Sequence, residues 1–221
     1  YFKSTITAGA ELDPDGRVHV MAGSVEQGQG PTTQFAQIAA ETMGSGMREV
    51  RVTIGDTGAA PYPVPTFSSI TTVGTGKAVE MATAKLREKV RAAAAEMLQA
   101  DPAGIAIEGD RALVRATPAE VARHLAETGR PSLSEAALDW SGEAPTILYG
   151  YNAGLVELEV NVETGEVRLL EHVNVTDPGT RINPLAVDGQ VDGAIAFGVG
   201  FALSERFHPD NPPTLEGYGL S

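Results

Sequence analysis

Residues 18–44 read VHVMAGSVEQGQGPTTQFAQIAAETMG, and this stretch decides how the chain begins to fold. The turn signal Asp13-Pro14-Asp15-Gly16 precedes a short apolar run, Val18 to Ala22, that predicts a strand. Phe35, Ile38, Ala39 and Met43 then recur at helical spacing, with Gly44 as the stop. Between them lies a glutamine- and glycine-rich loop. A helix N-terminus offers unpaired N–H groups and partial positive charge, glycines clear space beside the backbone, and a side-chain amide both donates and accepts. Such a loop suits a large polar ligand with phosphate and heteroatom acceptors. It equally suits a tight turn with Gln27 and Gln29 in solvent, and spacing alone does not choose between the two.

Outward from this stretch, Glu49 to Ile54 alternates as a half-buried strand and ends at Gly55-Asp56-Thr57, before a loop rich in Pro, Ser and Thr. Val73 to Gln99 predicts a long helix, Ile105 to Val114 a hairpin about Gly109-Asp110, and Thr117-Pro118 a helix start. Residues 131–145 are polar and aperiodic and are expected to be the seam between two lobes, 1–130 and 146–221, that face a shared cleft. In the second lobe, Val156, Leu158, Val160 and Val162 alternate with polar residues. Glu163-Thr164-Gly165-Glu166 turns the chain, and Val167 to Val175 returns with a bulge near Leu170. Asn183-Pro184 caps a glycine-studded helix through Gln190 to Leu203. Asp56 and Asp177, each at a strand end, are read as turn formers. The fold class is α+β, with mixed and antiparallel sheets and packed helices.

Composition bounds the partners. Of 221 residues, 42% are hydrophobic, enough for a core, and 16 basic against 29 acidic residues leave a net charge of −13. That balance repels a phosphate backbone, so no nucleic-acid partner is expected. With no cysteine, the chain can ligate neither an iron–sulfur cluster nor a thiolate-bound metal. The most apolar stretch, Ala194 to Leu203, is half of the about 20 residues needed to span a bilayer, and no secretion signal opens the chain. A cytoplasmic protein without a membrane partner is the expectation.

Most catalytic kits are missing. His19, His124, His172 and His208 lack metal-binding spacing, and no HExxH occurs. Gly74-Thr75-Gly76-Lys77 lacks the earlier glycine of a phosphate loop and has Ala78 where the magnesium-ligating hydroxyl belongs, which predicts a helix-entry turn. Gly28-Gln29-Gly30 and Gly198-Val199-Gly200 lack the third glycine of a dinucleotide fingerprint. Ser68 and Ser69 sit in no G-x-S-x-G elbow.

Three blocks follow in order: EQGQGPTTQFAQIAAETMG, then VRVTIGDTGAAPYPVPTFSSITTVGTGKAV, then GYNAGLVELEVNVETGEVRLLEHVNVTDPGTRINPLAVDGQVDGAIAFGVGFALSE. Together they resemble the molybdenum-binding subunit of the xanthine dehydrogenase and aldehyde oxidase family, from about Val18 to Glu205, with a weak middle. The resemblance implies a fragment of a two-lobed cofactor-binding region that grips molybdenum on the dithiolene of molybdopterin, in bacteria often extended to the cytosine dinucleotide. The metal's sulfur ligands come from that cofactor, so none is expected from this chain. By resemblance Gln29 hydrogen-bonds the cofactor, Gly28 and Gly30 lend backbone groups, and Gln27 stands where many relatives carry an apolar residue. Phe67, Ser68, Ser69 and Thr71 belong to the loop that wraps the pterin and its phosphate, with Ile70 where many bacterial relatives carry arginine. Gln190 is similar to a second cofactor-contacting glutamine.

The implied reaction hydroxylates an aldehyde or an N-heterocycle with water-derived oxygen. Its general-base glutamate is expected beyond Ser221, so no catalytic residue is assigned within the chain and the fragment alone is expected to be inactive. The implied partners are iron–sulfur and flavin domains or subunits, a small-molecule substrate, and further copies in an oligomeric enzyme. The contrasting expectation is a non-catalytic, degenerate module of the same fold that holds a ligand or a subunit without metal.

Overall fold

The computed structural model describes residues 6–60, 66–67, 69–105, 107–108, 111–112, 117–130, 132–135 and 149–205. The chain divides into two units, Tyr1–Ile147 and Leu148–Ser221.

In the first unit the chain runs through β1 (Ala8–Leu12), β2 (Val18–Ala22), α1 (Pro31–Met43), β3 (Val50–Ile54), α2 (Gly76–Leu98), β4 (Ile107–Glu108), β5 (Arg111–Ala112), α3 (Pro118–Glu127) and β6 (Ser134–Glu135). The sheet order is β3-β2-β1-β6. β2 and β3 pair in parallel, Val18 opposite Val50 and Ala22 opposite Ile54, so β2-α1-β3 is a crossover unit with its loop at the carboxyl end of β2. β1 pairs antiparallel with both β2 and β6. Because β6 belongs to this sheet, the first unit continues beyond residue 130.

α1 and α2 pack on each other, and α2 covers β1. The core contains Phe35, Met43, Leu86, Leu12, Val79, Val18, Val20 and Val121, all essentially without solvent exposure. Burying each of these large side chains contributes about 1.5–3 kcal/mol before entropy is counted. β1 carries no β-branched or aromatic signal, reading Ala-Gly-Ala-Glu-Leu. Its small residues are fully buried in the middle of the sheet, where a bulkier strand would hold α2 away. α1 ends on Gly44 in the left-handed conformation, with its N–H on the carbonyls of Ala40 and Glu41. α3 starts with a reciprocal capping box between Thr117 and Glu120, following Pro118 at the first helical position. The expected hairpin is present as the β4-β5 pair, and its turn, Gly109-Asp110, lies outside the described residues.

The second unit consists of β7 (Tyr151–Val160), β8 (Val167–Asp177) and α4 (Pro184–Leu203). β7 and β8 form an antiparallel ladder from Tyr151 opposite Asp177 to Val160 opposite Val167. Glu157 faces Glu171 and Leu158 faces Leu169, which leaves Leu170 as the extra residue of the bulge at the expected position. Asn161 closes the turn by accepting the N–H groups of Glu163 and Thr164 at 3.0 and 3.2 Å. Asn183 caps α4 through the Ala186 N–H at 3.3 Å. α4 is a continuous helix of 20 residues with mean hydropathy 1.2, long and apolar enough by those measures to cross a bilayer, so the helix exceeds the expected apolar segment. No residue of α4 or of β7 is buried.

Candidate functional site

The parallel pair β2-β3 directs both carboxyl ends to one edge of the first unit, where ligands of open α/β sheets collect. There the chain leaves β2 through Gly23 and Ser24 into the loop Val25–Gly30 and enters α1 at Pro31. Gly28 and Gly30 take positive φ values of 94° and 77°. A side chain there would be strained, and that conformation turns successive N–H groups to one side. A Cβ at Gly28 would meet nothing within 4 Å, so this glycine serves the turn and leaves its flank open.

The loop holds an acid in its own N–H groups. One Glu26 oxygen, Oε1, accepts from the Gly28 N–H at 3.1 Å and from the Gly30 N–H at 2.9 Å. The other, Oε2, accepts from the Thr32 hydroxyl at 3.3 Å. α1 itself has no acidic residue in its first turn and no side-chain cap, so Glu26 supplies the negative charge favoured at this end. Gln29 folds back along the loop: its Oε1 accepts from the Gln27 N–H at 2.6 Å, and its Nε2 donates to the Val25 carbonyl at 3.0 Å. A second N–H and a second lone pair of that amide remain. The Gln27 side chain is exposed.

The second predicted loop is tied to the first. The Thr66 hydroxyl accepts from the Val25 N–H and donates to the Val25 carbonyl, both at 3.0 Å. The Thr72 hydroxyl donates to Gln34 Oε1 at 2.8 Å, and the Gln34 amide reaches the Gln29 carbonyl at 3.3 Å. Ser24 donates to Thr75 at 3.1 Å in a buried pair. Val25, Gln34 and Ser24 thus hold Thr66, Thr72 and Thr75 against the Gln29 loop and α1. Ser69 is exposed and has φ of 55°, a left-handed backbone uncommon outside glycine and asparagine. Such an outlier points to a functional constraint and costs about 1–3 kcal/mol. Thr71 is buried, at 9% exposure, and opens a single π-helical turn, Thr71–Thr75, that leads into α2. π turns concentrate at functional sites.

Phe67 and Ile70 are half-buried against the core, so position 70 presents an apolar side chain inward and no cation. Ser68 lies outside the described residues. Gly76 belongs to close helix packing, since a Cβ there would stand 3.0 Å from Ile38 Cδ1, and Lys77 pairs with Glu80 at 2.7 Å. The GTGK motif is therefore the expected helix entry. Asp56 and Asp177 accept the N–H groups of Gly58 and Gly179 at 2.8 and 3.0 Å, as turn formers do.

In the second unit Gln190 is exposed on α4. A cleft of about 740 Å³ opens between β8 and α4, lined among others by His172, Asn174, Thr176, Arg181, Asp188 and Asp192. Gln190 is not part of that lining.

A family profile described as the molybdopterin cofactor-binding domain matches residues 2–216. The chain belongs to that family. The chain is 34% identical, over 91% of its length and 26% of the relative's, to the 6-hydroxypseudooxynicotine dehydrogenase complex subunit gamma of Paenarthrobacter nicotinovorans. It is 30% identical, over 95% of its length and 27% of the relative's, to the carbon monoxide dehydrogenase large chain of Hydrogenophaga pseudoflava. Among solved structures it is similar to quinoline 2-oxidoreductase from Pseudomonas putida 86, with a TM-score of 0.76 and 28% identity over 89% of this chain and 26% of that one. The chain therefore spans about a quarter of the length of these relatives.

The residues present fit the family's cofactor. Glu26 shows that the Gly28 and Gly30 N–H groups donate to a carboxylate oxygen, and the open flank at Gly28 admits a ligand that a Cβ would crowd. The tethers Thr66, Thr72 and Gln34 and the engagement of Glu26 are not among the contacts that the resemblance implies. Glu26 was legible in principle: an acid two and four residues before loop glycines can fold onto their N–H groups.

Proposed function

We propose that this chain is part of the molybdenum cofactor-binding subunit of an oxidoreductase that hydroxylates an aldehyde or N-heterocycle with water-derived oxygen. One observation carries the reading: the Gln29 loop and the Thr66–Thr75 segment, the two parts of this unit assigned to the cofactor, are joined by side-chain hydrogen bonds into one polar edge. Gln29 offers the cofactor its remaining N–H and lone pair, and Gly28 and Gly30 offer N–H groups once Glu26 swings aside. Ser69 supplies an exposed hydroxyl and Gln27 an exposed amide, and Phe67, Ser68 and Thr71 are proposed as further cofactor contacts. Gln190 is proposed as a cofactor contact of the second unit. The bound molybdenum–molybdopterin, as the pterin or its cytosine dinucleotide, supplies the two-electron redox and oxygen-transfer chemistry.

The general base is proposed to be a glutamate from the rest of the subunit, as the family resemblance implies. Electrons are proposed to leave through iron–sulfur and flavin domains or subunits, which a cysteine-free chain cannot replace. α4 is proposed to pack in protein and not in lipid. It carries Asp188, held by Arg181 at 3.4 Å, and Asp192, and each carboxylate at a bilayer centre costs about 2.5–3.5 kcal/mol on insertion scales.

The test is metal analysis and pterin fluorescence of the full-length protein purified from a host that makes the cofactor. Near-stoichiometric molybdenum and pterin, reduced in Gln29→Ala, are expected. Absence of both from the wild-type protein contradicts the reading and leaves the non-catalytic module.

A further inference from the structure

Thr66 stands 41 residues from Val25 in the chain, yet one hydroxyl grips both polar groups of that residue. It accepts the Val25 N–H and gives its own proton to the Val25 carbonyl, each at 3.0 Å. The same carbonyl accepts Nε2 of Gln29 at 3.0 Å. A carbonyl oxygen has two lone pairs, and here Thr66 takes one and Gln29 the other. The direction of the Gln29 amide is therefore set by the orientation of the Val25–Glu26 peptide, and that orientation is fixed from outside the loop by Thr66. The second anchor of the amide, Gln27 N–H on Oε1 at 2.6 Å, lies within the loop and moves with it.

We propose that Thr66 is a positioning residue that holds Gln29 in its cofactor-binding orientation through the Val25 carbonyl. The inference rests on the reading of Gln29 as a cofactor contact. The chemistry is narrow. A hydroxyl donates and accepts from one atom, which a valine of the same shape cannot do, whereas serine retains both bonds. In Thr66→Val the Val25 N–H loses its partner and the carbonyl keeps only Gln29, so the loop is released to turn without loss of side-chain volume. Thr66 touches no reacting group in this scheme and acts only through Val25 and Gln29.

The experiment uses the full-length protein with its partner subunits, loaded in a cofactor-making host. The rate of cofactor loss is followed by molybdenum retained after gel filtration and by fluorescence of the released pterin. Four variants are compared: Thr66→Val, Thr66→Ser, Gln29→Ala and the double Thr66→Val/Gln29→Ala. Thr66→Val is expected to release cofactor about tenfold faster, equivalent to about 1.4 kcal/mol, and Thr66→Ser within about twofold of wild type. The double variant is expected to release no faster than Gln29→Ala, because Thr66 acts through that amide. If Thr66→Val does not fold, Thr66→Ala against Thr66→Ser is read in the same way. Wild-type release from the threonine variants, or a threonine effect that adds in full to that of Gln29→Ala, overturns this inference alone. Wild-type release from Gln29→Ala overturns the cofactor reading beneath it as well.

Discussion

The two units solve the same problem to different degrees. In the first, a four-stranded sheet, α1 and α2 enclose a contiguous core, and Phe35 has no exposure. In the second, a long hairpin and a helix of 20 residues have no buried residue, with Leu155 71% and Phe197 72% exposed. Local rules are obeyed in both: Asn183 caps α4 with a side-chain bond, and Thr117 caps α3 with a reciprocal box. The difference shows that correct capping and alternation specify elements, while a core is needed to hold them. A two-stranded hairpin is marginal by itself, and a helix that is apolar all round is normally enclosed. The exposed apolar surface of the second unit marks it as a part to be covered.

The largest expected effect tests that contrast outright. Residues 1–147 expressed alone are expected to unfold cooperatively in urea, and residues 148–221 alone to show no cooperative transition. Equal cooperativity by circular dichroism would erase the distinction. Next in size, Phe35→Ala is expected to cost the whole chain about 3–5 kcal/mol in urea titration, and Phe197→Ala to stay within about 0.5 kcal/mol. A comparable loss at both positions would mean that α4 is covered in solution.

Thr117→Ala removes one half of the capping box and is expected to lower the stability of the first unit by about 1 kcal/mol, read as a shift in the same urea midpoint. The smallest effect is acidic. The Arg130 guanidinium, donating to Glu96 through both its arms, one of them at 2.7 Å, holds that carboxyl below its usual value. The backbone N–H and then the hydroxyl of Thr117 do the same for Glu120. A lowered folded-state value means stabilisation that is complete above the unfolded value and lost as pH falls through the folded one. Glu96→Gln/Glu120→Gln is therefore expected to flatten the decline in stability with pH below the usual carboxylate range. Both carboxylates are exposed, so the change is small. An unchanged slope would remove these two groups from the acid response.

Much of this was legible in the residues. Periodicity located α1, α2 and the β7-β8 hairpin, and the bulge at Leu170 followed from the point where alternation slips. β1 and β6 were missed for a physical reason: Ala-Gly-Ala carries little strand preference, and a two-residue edge strand carries no period, so pairing with neighbours decides both. At the candidate site, the loop's composition leaves a ligand loop and a tight turn open, and the family resemblance is what singles out Gln29, Gly28 and Gly30. The engagement of Thr66 with Val25, 41 residues away, is tertiary geometry that spacing does not encode, whereas that of Glu26 with the glycine N–H groups is local to the loop.

The central claim is that the Gln29 loop and the Thr66–Thr75 segment hold molybdopterin. Amide hydrogen exchange of the full-length protein, with and without cofactor, measures this most directly. Slowed exchange in peptides covering residues 25–34 and 66–75, Gly28 and Gly30 above all, is the predicted result. Cofactor-dependent protection elsewhere, with both segments unchanged, would contradict it.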